Sequence, residues 1–265
     1  MNRTNFNLLV LFLFFGIYFG LDQLFFASVQ SKMSNLIHNR ALGHMTAYVL
    51  SLLPLFLAAL LLKPKDQETL MSKFGLNGSL GLGIGVGALV TLPMFIGYAF
   101  RFTLIKEPDF NSLIINSVSA GVFEELIFRA YFFGLVYRYT RLGFIPAILA
   151  TSLVFALLHL YQSQDPMELT LIFATTFLGS VLFAWLYTEW KFNLWIPISL
   201  HILMNLAWML FNVDDTAAGN WYANIFRFLT ITLVIVWTVM QGKNRPDGLQ
   251  VNRKTLWRRT QNYAS

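Results

Sequence analysis

Apolar residues in this chain fall into long blocks, with neither strand alternation nor a single helical stripe. Eight blocks, 6–27, 41–62, 79–100, 112–137, 142–161, 168–188, 193–211 and 221–240, are dominated by Phe, Leu, Ile, Val and Ala. Each approaches the roughly 20 apolar residues that a helix needs to cross a bilayer. The pattern predicts an all-α polytopic membrane protein of about eight transmembrane helices. They form one domain, 1–240, followed by a basic tail, 241–265. The first block is too long, and too poor in small residues at its end, for a simple cleaved leader, and is read as a retained span. The fourth is longer than a crossing requires and can tilt. No loop is long enough for a soluble domain.

Composition agrees. Of 265 residues, 56% are hydrophobic and 12% charged, against about 45–50% and about 25% for soluble domains. Cysteine is absent, which removes disulfides and thiolate metal sites. The net charge of +6 would suit a nucleic acid, but the cations sit between apolar blocks and in the tail. The expected partner is the lipid bilayer, with no nucleic acid. With an even number of spans, one side receives Arg3, Lys63, Lys65, Lys73, Arg138, Arg141, Lys191, Lys243, Arg245, Arg253, Lys254, Arg258 and Arg259. The other receives Lys32, Arg40, Arg101 and Lys106. By the positive-inside rule both termini are expected in the cytoplasm. The acidic loops near 165–168 and 212–215 then face outward.

The run GSLGLGIGVGALV, 78–90, lacks both GxGxxG and the GK[ST] ending of nucleotide loops. Its Gly81/Gly85 and Gly83/Gly87 pairs are four apart, which lets a second helix approach closely. Asp22 and Gln23 read as interfacial groups near the end of the first span, and His44 as a boundary residue. Arg227 sits close enough to its helix end to snorkel.

The candidate chemistry lies in the fourth, fifth and seventh blocks. GVFEELIFRAYF, 121–132, places Glu124, Glu125 and Arg129 among apolar residues. A charge at the centre of a spanning helix costs roughly 2.5–3.5 kcal/mol, whereas a large apolar residue returns only about 0.3–0.6. Three charges therefore cost about as much as the apolar residues of the block return, or more, and this stripe must face protein or a water-filled cavity. Glu125 and Arg129 are four apart and share a helix face. Glu124 is turned about 100° away, free to meet something outside its own helix. The fifth block carries Phe155 and His159, and the seventh His201 and Asn205, each pair four apart. A desolvated carboxylate can act as a general base near neutral pH. Neutral His can share a water or hold a metal, and Asn or His donors can stabilise an oxyanion.

Together the three motifs, Glu124-Glu125-xxx-Arg129, Phe155-xxx-His159 and His201-xxx-Asn205, resemble the CAAX prenyl protease type 2 and bacteriocin-processing family of intramembrane proteases, which includes lysostaphin resistance protein A-like members. The resemblance covers about 112–211, the expected catalytic core. It implies a membrane-embedded endopeptidase of a bacterial cell membrane, acting on membrane-associated proteins or peptides, prenylated ones among them. By the same resemblance, Glu124 and His159 activate water, and His201 and Asn205 stabilise the oxyanion. Glu125, Arg129 and Phe155 support them. Glu124, His159 and His201 also form a sufficient ligand set for zinc, but the HExxH helix of soluble metalloproteases is absent. The favoured reading needs no cofactor. The main alternative is a proton-coupled transporter using the buried Glu and His residues as a relay. A membrane scaffold that tolerates Ala at Glu124 is a further rival.

Overall fold

The computed structural model describes residues 2–62 and 68–258. Lys63, Lys65 and Arg259, which entered the charge count, lie outside the described residues, as does the end of the tail from 260. Among the described residues the secondary structure is helical throughout, apart from one isolated bridge between Leu142 and Arg258.

Among the described residues ten helices carry the fold. They are α1 (Arg3–Ile37), α2 (Arg40–Ser51), α3 (Leu53–Leu61), α4 (Leu70–Lys73), α5 (Leu80–Arg101), α6 (residues 110–139), α7 (Phe144–Leu157), α8 (Pro166–Glu189), α9 (Trp195–Leu210) and α10 (Trp221–Lys243). The block at 41–62 is one crossing broken between Ser51 and Leu53, where Pro54 opens α3; proline suits a first helical turn and cannot donate deeper inside. Six helical segments are long and apolar enough to cross a membrane, with α2 and α3 counted together and α7 extended to Gln162. The block at 193–211 appears as the shorter apolar helix α9. The block at 112–137 lies within α6, which alternates α and π winding, with π turns at Ile114–Ser119 and Glu125–Leu135. Side chains start and stop the helices: Asn2, Ser79, Asp165 and Asn220 each accept a first-turn amide, satisfying donors that the helix leaves open.

The first helix is longer than expected. It runs 35 residues to a left-handed cap at His38, about 50 Å at 1.5 Å per residue, well beyond a hydrocarbon core of about 30 Å. Asp22 therefore sits within the helix, well short of its end.

Contacts sort the connections to two ends of the bundle. At one end Asn7 donates to the Tyr139 carbonyl, Arg138 pairs with Glu68 at 2.5 Å, and Lys73 donates to the carbonyls of Ala59 and Leu62. At the other, Arg40 pairs with Asp109, and the amide of Ile105 donates to the Leu210 carbonyl. There Gln162 and Glu168 bond Ala217 and Thr216, so the two acidic loops are joined. Arg227 does not reach out along the bilayer edge: it stacks on Trp208 at 4.1 Å and donates to the Ala217 carbonyl.

The tail is not a free appendage over its described part. Glu189 accepts the amides of Gln250 and Val251, both at 2.9 Å. The carbonyls of Thr255, Leu256 and Trp257 accept the amides of Phe144, Ile145 and Gly143. The tail thus supplies the N-terminal cap that Gly143, with no side-chain oxygen, cannot give α7.

The glycine run behaves as a packing surface on one side only. A Cβ at Gly83 would sit 2.5 Å from the Trp195 carbonyl oxygen, and one at Gly87 2.9 Å from Ser199 Cβ, so α5 lies hard against α9. Gly81 and Gly85 face open space, and the expectation of close packing fails for that pair. The contact that does form fixes the backbone of α9, which carries His201 and Asn205.

Candidate active site

Glu125 and Arg129 share the face their spacing predicts. Arg129 Nε lies 3.1 Å from Glu125 Oε2, with the two side chains 1% and 0% exposed. The contact is an ion pair without hydrogen-bond alignment. The guanidinium is held by rings as well: it sits 4.4 Å over Phe155 and 5.4 Å from Phe183. A cation against an aromatic face gains from the ring quadrupole, most when desolvated. Phe155 also packs edge-on to Phe128 at 5.0 Å and against the His159 ring at 4.4 Å. This phenylalanine fixes both the arginine and the histidine on its own helix.

The other oxygen of Glu125 does something its own helix does not reveal. Oε1 lies 2.7 Å from Nδ1 of His201 on α9. A carboxylate is an acceptor, so Nδ1 carries the proton and Nε2 turns away from Glu125. That nitrogen faces Glu124, with Nε2 and Oε2 3.9 Å apart. This is too long for a direct hydrogen bond, but an atom lying off the line between them can be about 2.8 Å from each. Glu124 Oε2 is buried without a hydrogen-bond partner, although the side chain as a whole remains 23% exposed. The sequence reading placed Glu124 with His159 and His201 with Asn205. The geometry instead draws Arg129, Glu125, His201 and Glu124 into one line across α6 and α9.

His159 stands apart from that line. It lies at the end of α7, where Nδ1 donates to the Phe155 carbonyl at 2.7 Å, leaving Nε2 unengaged. It is not within ion-pair distance of Glu124; among His201's partners are the two glutamates. Asn205 lies one turn beyond His201 and donates to the Asn116 carbonyl at 2.9 Å, in the first π turn of α6. One amide proton of Asn205 remains for another acceptor. Among the described residues no group of three or more His, Cys, Asp or Glu side chains is placed to hold a metal ion. Glu124 and His201 face each other, and His159 is not grouped with them.

Phe183 on α8 was not singled out by the sequence. Its ring packs at 5.6 Å against His201 and closes over Arg129. Ser180, one turn earlier, bonds Ser152 of α7 at 3.0 Å. A phenylalanine inside an apolar block leaves no pattern by which to find it. Tyr48 is similar: it stacks on Phe123, beside Glu124, at 4.7 Å and 12°.

The family model for type II CAAX prenyl endopeptidase Rce1-like proteins matches residues 107–207, from the start of α6 through Asn205. Over that stretch the chain is similar to this family. The match contains all of Glu124, Glu125, Arg129, Phe155, His159, His201 and Asn205, while α1, α2, α3 and α5 lie before it. A protein of Bacillus subtilis (strain 168), "Putative membrane peptidase YdiL", is 27% identical over 199 residues, 68% of this chain and 75% of that protein. No solved structure matches the chain.

Proposed function

We propose that the protein is an intramembrane endopeptidase that hydrolyses peptide bonds of membrane-associated substrates with a glutamate-activated water. The observation that carries this reading is the buried Glu125 joined to both Arg129 and His201, with Glu124 left facing His201 Nε2. Arg129 pairs with Glu125. Glu125 holds His201 in one tautomer and orientation. Glu124, with no competing hydrogen bond on its buried oxygen, accepts a proton from water as the water oxygen attacks the substrate carbonyl carbon. The proton then passes to the leaving nitrogen as the C–N bond breaks. Asn205, with an amide proton to spare, is the donor for the developing oxyanion, and the bare Nε2 of His201 accepts a hydrogen bond from the water. His159 offers its unengaged Nε2 to substrate or water at the outer end of α7. The family match over residues 107–207 and the similarity to YdiL support the class of reaction. Prenylated protein tails and bacteriocin-related peptides are the substrate candidates.

The test is a cleavage assay in detergent on a prenylated CAAX peptide and on a mixed peptide pool. Asn205→Ala removes one oxyanion donor and is expected to lower turnover roughly 10²–10³-fold with little change in KM. Parental turnover in Asn205→Ala would remove that residue from the oxyanion site. In the same reading both termini face the cytoplasm. A reporter active only outside the cytoplasm, fused after Ser265, should stay silent, and a bright signal would overturn that orientation.

A further inference from the structure

The mechanism above uses α6 and α9 and leaves a carboxylate on α1 unexplained. Asp22 stands mid-helix in an apolar span, with Oδ1 buried and without a hydrogen-bond partner. An ionisable group there, unpaired, is expensive and marks a functional position by default. Its surroundings are those of the active site. Along one face of α1, the Leu11 carbonyl accepts the Tyr131 hydroxyl and Phe15 packs against Phe128. Tyr18 comes within electrostatic reach of Glu124. The two helices therefore run antiparallel in register, and Asp22, one turn past Tyr18, falls about one turn beyond Glu124. Next on that face, Phe26 packs on Tyr48 at 4.7 Å. Tyr48 in turn stacks on Phe123, and both Asp22 and Glu124 lie within its electrostatic reach.

We propose that Asp22 is a substrate-binding residue of the peptidase site, accepting a hydrogen bond from N–H groups on the leaving-amine side of the scissile bond. The inference rests on the peptidase reading. Hydrolysis needs a donor for the oxyanion, supplied by Asn205, and a base for water, supplied by Glu124. It also needs an acceptor for the nitrogen that departs, because an amide or amine N–H drawn out of water without a partner loses its hydrogen bond. Glu124 is occupied by the proton at that moment. Asp22 has a free buried oxygen in the wall that α1 and α2 build beside Glu124, and no bond to it forms or breaks in the reaction.

The experiment compares parent, Asp22→Asn, Asp22→Leu and Glu124→Gln, purified in detergent. Rates are followed on the peptide of a synthetic pool that the parent cleaves best. Melting temperature is recorded beside kcat and KM. Asp22→Leu should melt at or above the parent, because an unpaired carboxylate has been replaced by an apolar group. It should nevertheless lose roughly 10- to 100-fold in kcat/KM, the range for a hydrogen bond to a charged group, mostly through KM. Asp22→Asn, which keeps an acceptor but no charge, should fall between. Parental kcat/KM in both Asp22 variants, with Glu124→Gln inactive, overturns the role of Asp22 alone. A melting temperature that falls in Asp22→Leu makes the residue structural and also overturns it. Full activity in Glu124→Gln removes the peptidase reading beneath it.

Discussion

Arg129→Ala is expected to give a poorly folded protein in low yield. The substitution removes the largest side chain among those that are almost fully buried, and it leaves Glu125, at 0% exposure, without its cation. Breaking a buried pair from one side costs about 3–5 kcal/mol, a large share of the stability of most folds. The guanidinium also leaves an opening between Phe155 and Phe183. Arg129→Lys should recover only part of the loss, since an ammonium lacks the flat face that stacks on both rings. The double variant Glu125→Gln/Arg129→Met should be more stable than Arg129→Ala, because no charge is then left unpaired. Thermal unfolding in detergent checks all three. A melting temperature for Arg129→Ala equal to that of the parent would show that the ion pair does not hold the fold.

Glu124→Gln should behave in the opposite way, folding like the parent but losing turnover. The amide has the shape of the carboxylate, and Glu124 Oε2 makes no hydrogen bond that the exchange would break. What disappears is the proton acceptor. Loss of a general base lowers rates by roughly 10²–10⁴-fold or more. His201→Ala should be comparably impaired, and joining it to Glu124→Gln should add little, because groups that act on one transition state are not additive. Steady-state peptide cleavage measures both. Independent, multiplying losses would separate His201 from the step that Glu124 serves.

The difference between these variants follows from a distinction that the sequence only half displays. The Glu125–Arg129 pair was legible because both residues lie on one helix, four apart, and a helix brings such positions together whatever surrounds it. The Glu125–His201 contact was not, because it joins residues 76 apart on two helices, and nothing in either block sets their relative height and rotation. The spacing rule that found the motifs pairs His201 with Asn205 on its own helix and says nothing of a partner across the bundle. Phe183 and Tyr48 were hidden for a related reason: an aromatic residue in an apolar block looks like lipid-facing filler until its partners are known.

The fold was legible at the level of blocks. Hydrocarbon thickness sets the length of an apolar run, so the spans showed as runs, but the ends of the helices did not. Gln23, Ser28, Gln30, Lys32 and Ser34 look like the edge of a membrane segment, yet none of them breaks a helix, and α1 continues to His38. That extension moved Asp22 from an expected boundary to the interior of a helix. The π turns of α6 were likewise invisible, since winding depends on tertiary packing and not on a 3.6-residue repeat. The described part of the basic tail is anchored by backbone groups that composition does not report.

The central claim is that Glu124 drives hydrolysis of a peptide bond by water. It is tested most directly by incubating purified parent and Glu124→Gln with a peptide pool in heavy-oxygen water and analysing the products by mass spectrometry. The parent should generate new peptide C-termini, each carrying one heavy oxygen in its carboxyl group. Glu124→Gln, folded to the same melting temperature, should generate almost none. Labelled products at equal rates from both proteins would contradict it.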